Sequence, residues 1–190
     1  MPVQNRYIIK SIVVSLLATM LFSCSKNIEQ VESLYKKNED IPISETKNFK
    51  LTYTLMGNSV LILTAPTMTD FSNQIQFQYQ SFPQKIKIEI INSERGEITI
   101  ITADKGYIYR NPDFAELVGN VHIQGYDGGS LDTSHLFWDM NNNHIFGEEK
   151  TVLKQNDEKI EGYGFDSDMN FKNVRINEIS GIMKIEQRKE

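Results

Sequence analysis

The sequence predicts an all-β domain, and three observations carry that reading. After residue 48 apolar residues alternate with polar ones at period two, turn-forming dipeptides interrupt the alternation at short intervals, and no stretch shows a 3.6-residue apolar stripe. Phe49, Leu51, Tyr53 and Leu55 alternate with Lys50, Thr52 and Thr54; Ile86, Ile88 and Ile90 with lysine and glutamate; Ile98 and Ile100 with Glu97 and Thr99; Val121 and Ile123 with Asn120, His122 and Gln124. Each pattern describes a strand with one apolar and one polar face. Gly57-Asn58, Asn92-Ser93, Asn111-Pro112, Asp127-Gly128-Gly129, Asn141-Asn142-Asn143 and Asn156-Asp157 punctuate them as turns. At roughly ten residues per strand and turn, residues 49–186 accommodate about 14 short strands, the spacing of a sandwich or barrel.

The chain enters that domain through two simpler segments. Arg6 and Lys10 precede an apolar run over residues 11–22 that ends in Leu21-Phe22-Ser23-Cys24. A basic flank followed by so short an apolar core fits a secretion signal, because a spanning helix needs about 20 apolar residues. Leucine three before and serine one before a cysteine form a lipobox, with Phe22 bulkier than usual for its place. Residues 1–23 are read as a lipoprotein signal peptide and Cys24 as the lipid attachment site; a short uncleaved anchor with an incidental cysteine is the competing reading. Several acyl chains on one residue hold a protein to a bilayer stably. Residues 24–48 are polar, charged and proline-interrupted, and read as a tether. Residues 187–190 form a charged tail, either a gatekeeper against uncontrolled stacking or a frayed terminus.

A weak repeat refines the β domain. The pieces beginning at Gly106, Leu136 and Phe165 lie about 29 residues apart, within the period of stacked units. Each runs from a strand through an asparagine- or aspartate-rich turn into a return strand. Hairpin units that cannot bury an apolar face alone stack into an elongated fold.

Composition narrows the function. With 190 residues, 39% hydrophobic and 24% charged, the chain is too apolar to be disordered and too polar to span a membrane many times. A formal charge of −5 leaves no basic surplus for nucleic acid. One cysteine excludes an internal disulfide and a multi-cysteine metal site. His122, His135 and His144 stand apart from any nucleophile motif and read as surface or turn residues. Asp166-x-Asp168-x-Asn170 begins like a calcium loop, but Phe171 replaces the glycine and Asn177 the bidentate glutamate. Gly162-x-Gly164 lacks a strand-to-helix context and marks a close approach of backbones. Neither catalysis nor a cofactor is expected.

Two sheets with apposed apolar faces make a slot, and a splayed slot can receive acyl chains. By parity the candidate lining residues are Leu117, Val121, Ile123, Leu131, Leu136, Trp138, Ile145, Val152, Ile160 and Phe165, with ordinary core packing the competing reading at each. Trp138 also admits a sugar-stacking role, less simple than a core position.

Leu117-Val118-Gly119-Asn120-Val121, Gly129-x-Leu131-x-Thr133-x-x-Leu136-x-Trp138-Asp139, Ile145, Val152 and Ile160-x-Gly162-x-Gly164-Phe165-x-x-Asp168 together resemble the LptC family, the periplasmic bridge component of lipopolysaccharide export. Leu63-Thr64-Ala65-Pro66, Phe82-Pro83 and Thr102-Ala103-Asp104 extend the resemblance over most of residues 47–185. It implies an open V-shaped antiparallel β-jellyroll of stacked hairpin units that carries lipopolysaccharide between other jellyrolls. It also implies partner edges: Phe49, Leu51, Tyr53 and Leu55 toward an inner-membrane ABC transporter, and Gly181, Ile182, Met183, Lys184 and Ile185 toward a periplasmic shuttle protein. The family's spanning helix is replaced here by the lipobox, so the expected place is the periplasmic side of the inner membrane, or the outer membrane. A structural or adhesive surface lipoprotein with a filled β-sandwich core is the alternative.

Overall fold

In the computed structural model, residues 41–74, 77–92 and 95–184 are described. The proposed signal peptide, Cys24, most of the tether, Ile185 and the charged tail lie outside them. The described residues form eleven antiparallel strands of one sheet and no helix: β1 (Ser44–Leu55), β2 (Asn58–Phe71), β3 (Tyr79–Phe82), β4 (Ile86–Asn92), β5 (Glu97–Ala103), β6 (Lys105–Arg110), β7 (Asp113–Gln124), β8 (Ser130–Asp139), β9 (His144–Gln155), β10 (Glu158–Asp168) and β11 (Arg175–Lys184).

Register reveals a simpler plan. The C-terminal end of β2 pairs with β3 and its middle with β4, while β7 pairs first with β6 and then with β5. β3 also pairs with β6, and β4 with β5. Thus β3 and β4 are two halves of one lane, as are β5 and β6, and the eleven strands make nine consecutive antiparallel lanes. The expectation of about 14 short strands is corrected, because β2 alone runs for 14 residues and β1, β7 and β9 for 12 each. The two expected sheets are the two legs of one sheet. β1 also begins at Ser44, inside the stretch read as tether, since Ser44, Glu45, Thr46 and Lys47 find backbone partners along β2.

What divides the legs is a crease that interrupts lane after lane at one level. Asn48 (φ 52) lies there in β1 opposite Pro66, followed by Lys85 (φ 38), Asp104, Gly119 (φ 80) with Asn120 (φ 43), and Gly164 (φ 68). Left-handed residues and bulges add local twist and let a strand change direction. Hydrogen bonds run along the crease: Lys85 N–H donates to the Asp104 carbonyl at 2.6 Å, and Asp104 N–H to the Gly119 carbonyl at 2.8 Å. A Cβ on Gly119 would stand 2.9 Å from Asp104 Oδ2, so that side chain would have to shift, and the φ of 80 itself favours glycine. Each hairpin unit of the sequence repeat turns at the same tip, beyond β6, β8 and β10.

Candidate lipid slot

The first leg contains β4 and β5, the second β3 and β6. Direct cross-strand partners point to the same face. On the inner face of the first leg, register strings together Leu51, Leu63, Ile88, Ile101, Ile123, Leu131, Leu153, Ile160 and Ile182, one residue from each lane. The six from Leu63 to Leu153 are buried, whereas the ends are open, Leu51 being 46% and Ile182 63% exposed. The inner row of the second leg reads Asp70, Gln80, Ile108, Ala115, Trp138, Ile145 and Ser167, apolar in the middle and polar at both ends.

The legs enclose a mostly apolar cavity of about 480 Å³ near β1. Leu51, Tyr53, Leu61, Leu63 and Ile88 line it from the first leg, and Gln80, Ile108, Trp138 and Met140 from the second. Trp138 is only 4% exposed, and its indole Nε1 is buried without a hydrogen-bond partner. Such an orphan donor costs on the order of 1–3 kcal/mol. Burial pushes the Asp70 carboxyl up, but hydrogen bonds from Ser72 and Gln80 and the Arg110 guanidinium outweigh it and hold the pKa low. A larger hollow of about 740 Å³ lies at the crease, lined by Lys50, Lys85, Lys87, Asp104 and Asn120 among others. Phe49, Ala65, Pro66, Ile86 and Ala103 line it as well, so its wall mixes apolar and charged groups.

Toward β10 the slot is filled by the protein itself. Leu117, Val121, Ile123, Leu131, Leu136, Ile145 and Phe165 are on the inner face and almost fully covered, while Ile160 is half-buried in the aliphatic row. Trp138 is the predicted lining residue that borders the cavity. Val152 requires a correction: it pairs with Asp132 and Glu161 and so shares their outer face, while Leu153 takes the inner place. Thr151-Val152-Leu153 carries no alternation from which parity could be read.

Sequence reasoning also missed the turn after β10, which latches the tips of the legs. Thr99 Oγ1 donates to the Asn170 carbonyl at 3.3 Å, and Lys172 Nζ lies 3.2 Å from Glu97 Oε2 and 5.4 Å from the Tyr126 ring centroid. Phe171 is 1% exposed, and a Cβ on Gly125 would sit 2.9 Å from its ring. Asp168 holds this turn by accepting from the backbone N–H groups of Asn170, Lys172 and Asn173 and from Asn173 Nδ2. The carboxylate that resembled part of a calcium loop is therefore a turn cap. A phenylalanine inside an asparagine-rich turn was the available signal.

Both edges of the sheet are open among the described residues: β1 pairs only with β2 and β11 only with β10. Leu51, Tyr53 and Leu55 are exposed on β1, and Phe49 is half-buried with its ring 5.6 Å from that of Phe82. On β11, Gly181, Ile182, Met183 and Lys184 pair with Glu161, Ile160, Lys159 and Glu158, and Ile185 lies outside the described residues.

The outer face carries the histidines, each beside a carboxylate: His122 with Asp132 at 2.6 Å, His135 with Glu116 at 2.8 Å, and His144 with Asp166 at 3.0 Å. Tyr109 donates to Glu116 at 3.3 Å; burial and that carboxylate push the phenol from 10.0 up to about 12. The neutral phenol therefore favours the folded state fully below pH 10.0, and the contribution disappears as pH rises through about 12. Urea titrations should show Tyr109→Phe losing less stability than the parent between those pH values; parallel losses would refute the assignment.

A creased β sheet with open edges around an apolar slot defines a β-jellyroll-like protein. Its lineage is then specific. The chain belongs to the LptC family, since the family model described as "Lipopolysaccharide-assembly, LptC-related" matches residues 12–180. Members are periplasmic, inner-membrane-associated bridge components of lipopolysaccharide transport, and the family is not one of enzymes. No curated protein matches the chain.

Proposed function

We propose that the protein is a lipid-anchored bridge, held through Cys24 on the periplasmic side of the inner membrane, that receives lipopolysaccharide from the jellyroll subunits of an ABC transporter and passes it to a periplasmic shuttle jellyroll. The aliphatic row from Leu51 to Ile182 carries this reading, because it crosses every lane and is open at its two ends. Exposing a twelve-carbon chain to water costs about 10 kcal/mol at about 0.8 kcal/mol per methylene. A covered apolar path removes that barrier while the sugar head stays in water.

Neighbouring jellyrolls add to the open edges by backbone hydrogen bonding, with the transporter at β1 and the shuttle at β11. A strand added beyond β1 sets its own side chain beside Leu51 and prolongs the row. Ile101, Ile123 and Leu131 are covered by the protein, so a chain moving past them requires the legs to part. The chain contains no Walker motif, and the work of transport comes from the partner ATPase.

A photocrosslinker at Leu51 or Trp138 should capture lipopolysaccharide in membranes with an active transporter, while one at His122 or Val152 should not. Capture at the two outward positions equal to that at Trp138 overturns the proposal. No capture anywhere favours the filled-core structural lipoprotein.

A further inference from the structure

We propose that a cleft on the outer face of the second leg, walled by Phe77, Tyr109 and Phe114 and bordered by Glu116, binds an organic cation of the choline class through its trimethylammonium group. The cleft lies apart from the slot between the legs and does not depend on how that slot is used.

The sheet face that fronts water is ordinarily polar, yet here it carries rings. Tyr109 and Phe114 are direct cross-strand partners and point outward, opposite to Ile108 and Ala115. Arg110 N–H donates to the Gln78 carbonyl at 3.1 Å, which sets the piece of chain carrying Phe77 against the end of β6. Phe77 is 60% exposed. With Asn111 and Pro112 from the β6–β7 turn, these residues border an open, mostly apolar cleft of about 350 Å³. That volume falls within the range of small-molecule sites.

Among the described residues lining the cleft, Glu116 alone is charged. Its side chain is 25% exposed, so an occupant can reach it. One carboxylate oxygen lies 2.8 Å from His135 Nε2 and the other accepts from the Tyr109 hydroxyl at 3.3 Å. A carboxylate offers about four acceptor sites, so both oxygens retain capacity. Burial and the Glu116 charge keep the Tyr109 phenol protonated, which shows that the negative field reaches the cleft wall. An anion is repelled there. A metal ion needs more oxygen ligands than Glu116 and Asn111 supply. A neutral apolar molecule fits the rings but strips water from the carboxylate without replacing it. A trimethylammonium group meets both demands: its methyls lie on the ring faces, whose quadrupole attracts a cation, and its charge sits near Glu116.

The test uses the full chain in maltoside detergent and compares choline with 3,3-dimethylbutanol, its uncharged carbon isostere. Choline should bind about tenfold more tightly, the size of one cation–aromatic contact beside a carboxylate. Glu116→Gln keeps the shape and removes the charge, so it should lose that preference. In the parent protein the N-methyl proton resonance of bound choline should move upfield under the ring currents of the wall, a readout that needs no variant. Equal affinities in the parent, a preference that survives in Glu116→Gln, or an unmoved N-methyl resonance each overturn the proposal. A third probe, phosphocholine, distinguishes the source of the group. Binding as tight as choline's supports the site and assigns it to a lipid headgroup, whereas choline binding without phosphocholine binding supports it as a site for a free solute.

Discussion

Phe165→Ala will lower the unfolding free energy by about 3–5 kcal/mol, whereas Val152→Ala will change it by less than about 1 kcal/mol. Phe165 is fully buried, and its ring fills the space left by the missing side chain of Gly147, where a Cβ would lie 2.7 Å from Phe165 Cε1. Removing the ring leaves a cavity that the paired strands on either side cannot collapse into, and the cost exceeds simple transfer. Val152 is half-buried on the outer face beside Asp132 and Glu161, where truncation exposes a little more surface and opens no void. Urea unfolding of both variants checks the assignment of faces directly. Comparable losses would mean that β9 is read in the wrong register.

Phe171→Ala carries a comparable cost of about 3 kcal/mol or more, but localised at the tips of the legs. Phe171 holds the latch with a backbone φ of 58, a conformation that costs a residue with a Cβ roughly 1–2 kcal/mol. The burial of its ring outweighs that strain. Phe171→Gly loses the same ring yet relieves the strain, so it should be no less stable than Phe171→Ala. Hydrogen exchange in both variants should quicken at Thr99 and over residues 169–174, while the β1–β2 pairing keeps its protection, because opening at one end of a sheet is a local event. Uniform loss of protection would show that the latch is part of the global core.

How much of this was legible beforehand follows from where alternation survives. Ile86, Ile88 and Ile90 in β4 and Val121 with Ile123 in β7 alternate cleanly, and each lies on the inner face. β2 carries no such alternation, because Val60, Leu61, Ile62 and Leu63 are a continuous apolar run. In β8 the inward positions are Leu131 and Thr133, then Leu136 and Trp138, so parity changes at the register shift between Thr133 and Phe137. In β9 no such change occurs: Ile145 and Gly147 are followed by Thr151 and Leu153, which is why Val152 fell on the other side. Whether a given lane slips at the crease depends on its neighbours' hydrogen bonds.

The all-β class, the hairpin turns at one tip and the membership signalled by the Gly119-Asn120, Trp138-Asp139 and Gly162-x-Gly164 motifs were set by the order of residues along the chain. Those features are local: a period of two, a left-handed turn residue, a glycine where backbones crowd. Tertiary structure alone decided that eleven strands make nine creased lanes, that nine aliphatic residues from nine lanes align into one row, and that Phe171 closes the far end while Trp138 stands unpaired beside the space that remains. Such facts depend on which residues meet across the fold, and pairing between lanes distant in sequence is set by the summed register of the whole sheet.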